Sequence, residues 1–264
     1  MTPSGSIVSG LVRKRRANGI PTYFAADIAY HQNKYQRGFD TVIDIWGADH
    51  HGHVARMKGA MEALGYERDR LEVILMQFVR LYQGGELLKM SKRTGTYVTL
   101  NELVEEVGRD AARFFFVMRN ADSLIDFDMD LAKSQSADNP VYYVQYAHAR
   151  ICSILKNLEA QGAAVKEVPA KALECLTQPE EKELIRHLAA YTGEIVLSAR
   201  DYDPARMTRY AMELATKFHK FYNACRVMGE EEELMQARLT LCLCTRTVLR
   251  NNLGLLKITA PEVM

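Results

Sequence analysis

Along the first half of the chain, short apolar runs alternate with stretches whose apolar residues recur at helical spacing. Residues 41–46 form a β-branched, apolar run typical of a buried strand. Residues 25–35 and 54–64 are predicted helices, and Gly65 ends the second. The apolar run Leu71–Leu81 is predicted to be another strand. This alternation predicts a parallel α/β sheet, with ligands bound beyond the carboxyl ends of the strands.

From about Leu131 onward the pattern is helical throughout. Helices are predicted over residues 142–159, 179–199, 204–228 and 231–253. The polar stretch 134–139, which ends at Pro140, is the predicted boundary. The sequence therefore predicts an α/β domain over residues 1–133 and an all-α bundle over residues 134–264.

Composition narrows the class of protein only a little. The chain has 264 residues and a net charge of +1, so any contact with nucleic acid has to come from local patches. Its five cysteines are absent from the first 151 residues, which excludes a disulfide framework and fits a reducing cytosol. Zinc binding by Cys242 and Cys244 is an open alternative, although two residues apart on a helix they point to different faces. Because no run of about 18 apolar residues occurs, no membrane span is expected, and we expect a cytoplasmic protein.

Two segments have the composition of phosphate or nucleotide sites. Residues 89–96 read Lys-Met-Ser-Lys-Arg-Thr-Gly-Thr, a glycine-flanked cationic loop that suits a polyphosphate, the alternative being a solvated basic turn. Residues 47–53 read Gly-Ala-Asp-His-His-Gly-His directly after the strand 41–46. Glycines there allow a ligand to approach the backbone, and the next helix offers free N–H groups. A zinc site built from the histidines, or a simple helix cap, are the alternatives.

Longer strings resemble the arginyl-tRNA synthetases, which are class I aminoacyl-tRNA synthetases. Tyr23–His31 is similar to the segment that lines their amino-acid pocket, and Asp138–Arg150 resembles the first helix of their anticodon-binding domain. Phe218–Asn223 and Ala260–Met264 are similar to later parts of that domain. The Lys-Met-Ser-Lys string is also a class I signature. The resemblance extends over about residues 19 to 264, and it argues against cysteinyl and methionyl enzymes.

The resemblance implies ATP-dependent ligation of arginine to its tRNA through arginyl-adenylate. Residues 1–133 would be the second half of a Rossmann-like catalytic domain, and residues 134–264 the helical anticodon-binding domain. Lys89 and Lys92 would be catalytic, stabilising the ATP phosphates, with Mg²⁺ bridging those phosphates. The other implied ATP contacts are Gly47, Asp49, His50, His53, Met90 and Ser91.

Arginine itself would be bound by Asp27 and Tyr23, by the same resemblance. They lie four residues apart, so on a helix both can face one pocket, where a carboxylate would take the guanidinium. The alternative for Asp27 is stabilisation of a helix N-terminus.

Candidate contacts to tRNA of the arginine isoacceptors are Tyr142, Tyr146, Arg150 and Tyr222. Unstacked anticodon bases bind aromatic faces and arginine planes, whereas the alternative for each tyrosine is core packing.

The chain also departs from the family pattern. The class I signature His-x-Gly-His is absent, as is the N-terminal domain of arginyl enzymes, and residues 1–17 match poorly. The basic run Arg13–Arg16 is open to interpretation as a nuclear signal, an RNA patch or a solvated hairpin. The chain is therefore expected to be the C-terminal half of a synthetase, and a separate N-terminal half is one partner that this implies. The alternative functions are a non-catalytic tRNA-binding module and a regulatory relative of the synthetase.

Overall fold

The computed structural model describes residues 22–88, 98–162 and 164–264. The lysine loop 89–97 therefore lies outside the described residues, together with the candidates Lys89, Met90, Ser91 and Lys92. The described chain forms two compact units, one over residues 22–78 and 121–124 and one over the remainder.

The first unit combines two helices with a two-stranded sheet. Its elements are α1 (Tyr23–Gln36), β1 (Val42–Gly47), α2 (His51–Ala63) and β2 (Leu71–Met76). Thr22 caps α1, its hydroxyl accepting from the N–H of Ala25 at 3.4 Å. The strands pair in parallel, Val42 opposite Leu71 and Gly47 opposite Met76, as the alternating sequence pattern predicts.

The two faces of this small sheet differ. One face packs on the helices, with a core of Tyr35, Val42, Met57, Ala60, Met61 and Leu71. The opposite face carries Ile43 and Ile45, which are 45% and 63% exposed, beside Glu72, Ile74 and Met76 of β2. Successive strand residues point to opposite faces, so this second face is, apart from Glu72, an apolar surface with no cover from the described residues of its own unit.

The second unit is mainly helical. Its elements are β3 (Val79–Gln83), β4 (Glu86–Leu87), α3 (Leu100–Val107), α4 (Arg109–Val117), β5 (Ile125–Asp128), α5 (Met129–Lys133), α6 (Pro140–Ala160), α7 (Pro179–Arg200), α8 (Ala205–Ala224) and α9 (Glu232–Leu255). Strand β3 pairs in parallel with β5 and antiparallel with β4. The four long helices lie within a few residues of their predicted bounds, and the predicted fold class, α/β then all-α, is confirmed.

Helix starts in this unit follow from local sequence. Thr99 and Glu102 form a capping box at α3, in which the Glu102 carboxylate accepts from the N–H of Thr99 at 2.7 Å. At α6, Asn139 is the N-cap and Pro140 takes the first helical position, where its missing N–H costs nothing. The polar stretch before Pro140 thus marks the start of the long helices.

The strand predicted over Leu71–Leu81 is wrong as a single element. The chain leaves β2 at Met76, and the N–H of Gln77 donates to the carbonyl of Ala121 at 2.8 Å. A new strand, β3, begins at Val79 and belongs to the other unit. A continuous apolar run does not reveal which of two sheets each part joins, because pairing partners distant in sequence decide that.

The compact units do not divide at the predicted boundary 133/134. Phe114 and Phe127 are fully buried in one core with Phe218 and Phe221, so the elements from β3 onward pack with the long helices. The domain boundary near residue 134 stays a prediction. Within the described ranges, no helix has both the length and the hydropathy needed to cross a membrane.

Candidate functional site

A cavity of about 670 Å³ opens in the first unit, between the start of α1 and the turn from β1 into α2. It is lined by Tyr23, Phe24, Ala26, Asp27, Tyr30, Trp46, Asp49, His50, Gly52, His53 and Arg56. Five sequence-predicted site residues from two separate segments therefore surround one space. The parallel strands explain this position, because the cavity lies where β1 ends and α2 begins.

Asp27 is the carboxylate that α1 directs into this cavity. Its side chain is 37% exposed, and its Oδ2 lies 3.5 Å from Nε2 of His53 on α2. Tyr23 is one helical turn earlier and 86% exposed, so the two share the α1 face that lines the cavity. The arrangement leaves a negative group beside aromatic surface, which suits a cation with an apolar stem.

The turn after β1 supplies the remaining predicted residues. Asp49 and His50 are exposed, with a carboxylate–imidazole distance of 3.7 Å. His53 is held between two rings, 4.9 Å from that of Phe24 and 5.4 Å from that of Trp46. Helix α2 has no side-chain cap, and the N–H of its first residue, His51, donates to the main-chain carbonyl of Ala48.

Gly47 is the predicted residue that does not line the cavity. A Cβ built on it would lie 2.5 Å from Oδ1 of Asp49, so a side chain at position 47 would displace that carboxylate. Gly47 therefore leaves open the space that the Asp49 carboxylate occupies. Within the described part of the chain, no three histidine, cysteine, aspartate or glutamate side chains converge as metal ligands, which gives the two zinc alternatives no support.

Sequence reasoning missed two kinds of residue here. Tyr30 and Arg56 line the cavity three residues after Asp27 and His53, a helical spacing that was available as a signal. Beneath Asp27 lies a buried pair, His31 and Asp44, which are 2% and 6% exposed. The signal for Asp44 was an ionisable residue inside an otherwise apolar strand.

In the second unit, the four candidate tRNA contacts form one continuous surface on α6 and α8. The rings of Tyr142 and Tyr146 are nearly parallel, 6.3 Å apart with an interplanar angle of 9°. The Arg150 guanidinium lies 4.5 Å from the ring centre of Tyr222 and 6.0 Å from that of Tyr146. Tyr146 is 39% exposed, and Tyr142, Arg150 and Tyr222 are half-buried, so all four reach the surface.

A shallow cavity of about 380 Å³ adjoins this aromatic surface. It is lined by Gln135, Ser136, Ala137, Tyr142, Tyr143, Tyr146 and His219. Burial and the nearby Arg150 cation lower the pKa of His219, which favours the neutral imidazole. The surface thus presents stacked rings with one fixed cation, a combination that binds unstacked bases.

Comparison with known proteins identifies relatives along almost the whole chain. Residues 144–264 match the model of the DALR anticodon binding domain. The chain is 63% identical over 249 residues to an arginine–tRNA ligase of Moorella thermoacetica, and 63% identical to one of Desulforamulus reducens. The chain belongs to the arginyl-tRNA synthetase family. Three of the four surface candidates, Tyr146, Arg150 and Tyr222, fall inside the matched anticodon-binding domain, and Tyr142 lies just before it.

The match covers 94% of this chain but 44% of each of those two ligases, so the chain spans less than half of their length. The solved structures also match almost the whole of this chain but only about half of their own length. A Campylobacter jejuni protein assigned as an arginyl-tRNA synthetase has a TM-score of 0.86 at 34% identity, covering 95% of this chain and 54% of that one. The Thermus thermophilus arginyl-tRNA synthetase shares the fold, with a TM-score of 0.76 at 23% identity, over 95% of this chain and 50% of that one. Within the family, the chain corresponds to the C-terminal part.

Proposed function

We propose that this chain is the arginine- and tRNA-binding part of an arginine–tRNA ligase, which joins arginine to its tRNA through arginyl-adenylate at the expense of ATP. The observation that carries the proposal is the 63% identity to arginine–tRNA ligases along 94% of the chain. The aminoacyl-tRNA synthetase reaction consumes ATP, and a cytoplasmic location is part of the same proposal. The cytoplasmic location is proposed from the family and from the free cysteines among the described residues.

The proposed arginine site is the cavity beside Asp27. A guanidinium needs a carboxylate that can accept two parallel hydrogen bonds, and Asp27 is the acidic side chain that α1 contributes to the lining. Tyr23 supplies an aromatic wall one turn away for the aliphatic stem of the ligand. Their spacing on one helix places both side chains on the same face.

The proposed ATP site uses the other side of the same cavity. Asp49, His50 and His53 would contact ribose and base, and Gly47 keeps the Asp49 carboxylate free to turn toward them. Lys89 and Lys92, with Met90 and Ser91, would hold the phosphates as pyrophosphate leaves. Mg²⁺ enters the proposal as an ion on the ATP phosphates. No cluster of described side chains fits it, so we assign it no protein ligand among them.

The proposed tRNA site is the aromatic surface of α6 and α8. Stacking of an unpaired base on Tyr142, Tyr146 or Tyr222 contributes about 1–3 kcal/mol for each base. Arg150 adds a charge whose plane already lies over Tyr222. We therefore propose tRNA of the arginine isoacceptors as the nucleic-acid partner.

The active species is proposed to include the part of the ligase that this chain does not span. The apolar face of Ile43 and Ile45 is where we place that part, because an exposed face of a parallel sheet is normally covered. A non-catalytic tRNA-binding module, or a regulatory relative, is the second candidate. It is favoured by the match of residues 144–264 to the model of the DALR anticodon binding domain.

Aminoacylation of arginine tRNA with labelled arginine tests the proposal. The purified chain is assayed alone and together with the remaining part of the Moorella ligase, with Lys89→Ala/Lys92→Ala as the inactive control. We expect charging in the combined sample that the lysine variant abolishes. Retained tRNA binding with no charging in either sample would favour the binding module instead.

Arginine recognition is tested separately by calorimetry with Asp27→Asn. Loss of charge-assisted hydrogen bonds costs about 1.5–3 kcal/mol, so we expect affinity for arginine to fall at least tenfold. Asp69→Asn is the matched control, because Asp69 is exposed and lies outside the cavity lining. Equal arginine affinity in the two variants would refute the assigned site.

A further inference from the structure

His31 connects the cavity wall to the interior of the first unit. It lies one helical turn after Asp27 on α1, and its two ring nitrogens have different partners. Nδ1 lies 2.8 Å from the main-chain carbonyl oxygen of Asp27 and 3.4 Å from Oδ1 of the same residue. Nε2 contacts Oδ2 of Asp44, on β1. The imidazole therefore hydrogen-bonds the main chain of Asp27 and the carboxylate of Asp44, and it also contacts the Asp27 carboxylate that lines the cavity.

Both partners of this ring accept hydrogen bonds. A neutral imidazole has one N–H and can donate to only one of them, whereas the imidazolium ion donates to both. Protonation of Asp44 instead is disfavoured, because Nζ of Lys34 donates to its other oxygen at 2.8 Å. The geometry therefore requires a charged His31 opposite an ionised Asp44.

The electrostatics of the pair lead to the same conclusion. Burial lowers the pKa of His31, but hydrogen bonds to Asp44 and Asp27 more than compensate, and the pKa is raised overall. Burial likewise raises the pKa of Asp44, but hydrogen bonds from His31 and Lys34 outweigh it and lower that pKa. Each group thus keeps the other charged in a site with little access to water.

The charged groups around His31 balance. On α1 these are Asp27 and Lys34, on β1 the group is Asp44, and on α2 His53 faces the second oxygen of Asp27. Two carboxylates, one ammonium and one imidazolium sum to zero, so none of the buried charges lacks a counter-charge. The Asp27 carboxylate has an imidazole near each of its oxygens, and part of its surface is open to the cavity.

We propose that His31 is a positioning residue that fixes the Asp27 carboxylate for a guanidinium ligand, and that Asp44 acts through His31. This inference rests on the arginine site proposed above. A bidentate ion pair requires the carboxylate plane to face the ligand, but the terminal torsion of a free aspartate is soft. The 3.4 Å contact of Oδ1 with a buried ring, which Asp44 holds in place, restricts that torsion before the ligand arrives.

The test combines histidine nitrogen NMR with calorimetry on the full chain. In the wild-type protein near neutral pH, we expect the His31 ring to show two protonated nitrogens. In Asp44→Asn, where the amide cannot balance a buried cation, we expect a neutral ring. We also expect the arginine dissociation constant to rise about tenfold, as for loss of one charge-assisted hydrogen bond.

His31→Gln is the second variant, because Gln can still donate to Asp44 but cannot donate to both acids. It should weaken arginine binding to a similar degree. Neither variant should change affinity for tRNA, since the aromatic surface belongs to the other unit. His51→Gln, at an exposed histidine of α2 outside the cavity lining, is the matched control and should bind arginine like the wild type.

The possible outcomes distinguish failure of the positioning role of His31 from failure of the proposed arginine site. Arginine binding by the wild type that both variants retain unchanged would overturn the positioning role alone. A neutral His31 ring in the wild type would overturn the bridge itself. If the wild type binds tRNA but no arginine, both the proposed arginine site and this role are wrong.

Discussion

The ion pair between Glu181 and Arg238 is the interaction on which we expect the helical unit to depend most sharply. Nε of Arg238 donates to Oε1 of Glu181 at 2.7 Å, and the two side chains are only 7% and 0% exposed. The arginine also donates to the main-chain carbonyl of Arg226 at 2.6 Å. Glu181 in turn accepts from the N–H of Gln178 in the capping box of α7. One buried pair thus joins α9, α7 and the end of α8.

A chemically similar pair at the surface provides the comparison. Arg80 donates to Asp126 through two nitrogens, at 2.6 and 2.9 Å, but these side chains are 44% and 52% exposed. Breaking a buried pair by removing one partner costs about 3–5 kcal/mol, because the other charge stays buried. An exposed pair contributes about 0–1 kcal/mol. Arg238→Met should therefore lower the free energy of unfolding by at least 2 kcal/mol more than Arg80→Met, as a rough lower bound from these ranges.

Urea denaturation followed by far-UV circular dichroism measures this difference, because most of the long helices lie in the second unit. The single tryptophan, Trp46, lies in the first unit, so its fluorescence reports separately on that unit. The double variant Glu181→Gln/Arg238→Met should lose less stability than Arg238→Met alone. Gln keeps the capping acceptor, and no charge is then left buried. Equal destabilisation by Arg238→Met and Arg80→Met would refute the reasoning.

Other predictions concern the surfaces and the cysteines. Arg150→Ala should weaken tRNA binding by about 0.5–2 kcal/mol in a filter assay, whereas Arg186→Ala, at an exposed arginine of α7, should not. Burial raises the pKa of Cys242 to about 12, so a thiol reagent should label exposed Cys244 in the native protein and Cys242 only after unfolding. Between the ordinary thiol pKa and pH 12, Cys242 loses its proton in the unfolded chain but keeps it in the folded chain. The contribution of this thiol to the free energy of unfolding should therefore fall as the pH rises through that range. Ile45→Lys should reduce self-association of the isolated chain in gel filtration. An unchanged elution volume would argue against self-association through the exposed sheet face of Ile43 and Ile45.

Much of the fold follows from local pattern. The long helices were predictable because each buries one stripe of apolar residues over many turns, and because polar caps and prolines mark their starts. Strand β1 was predictable for a similar reason, since its β-branched run is short and bounded by turns. The strand over Leu71–Leu81 was not, because an apolar run contains no information about which partner strand each half will meet.

For the candidate site too, part of the information came from the sequence and part only from the tertiary structure. The family resemblance predicted that Asp27 binds arginine, and residue types suggested that the turn at Asp49 approaches a ligand. The tertiary structure decided that these two segments line one cavity, since the parallel pairing of β1 with β2 places the end of β1 beside α1 and α2. It also decided that Tyr142, Tyr146 and Arg150 of α6 share a surface with Tyr222 of α8.

By itself, the sequence determined the helices, the buried strand and the kind of ligand each segment could hold, because these depend on periodicity and on the chemistry of single side chains. Only the tertiary structure decided that Asp44 lies under His31, and that His31 reaches Asp27. The charge on that imidazole depends on two acceptors brought together from a helix and a strand. No local pattern contains that information, because protonation responds to distance in space and to loss of water.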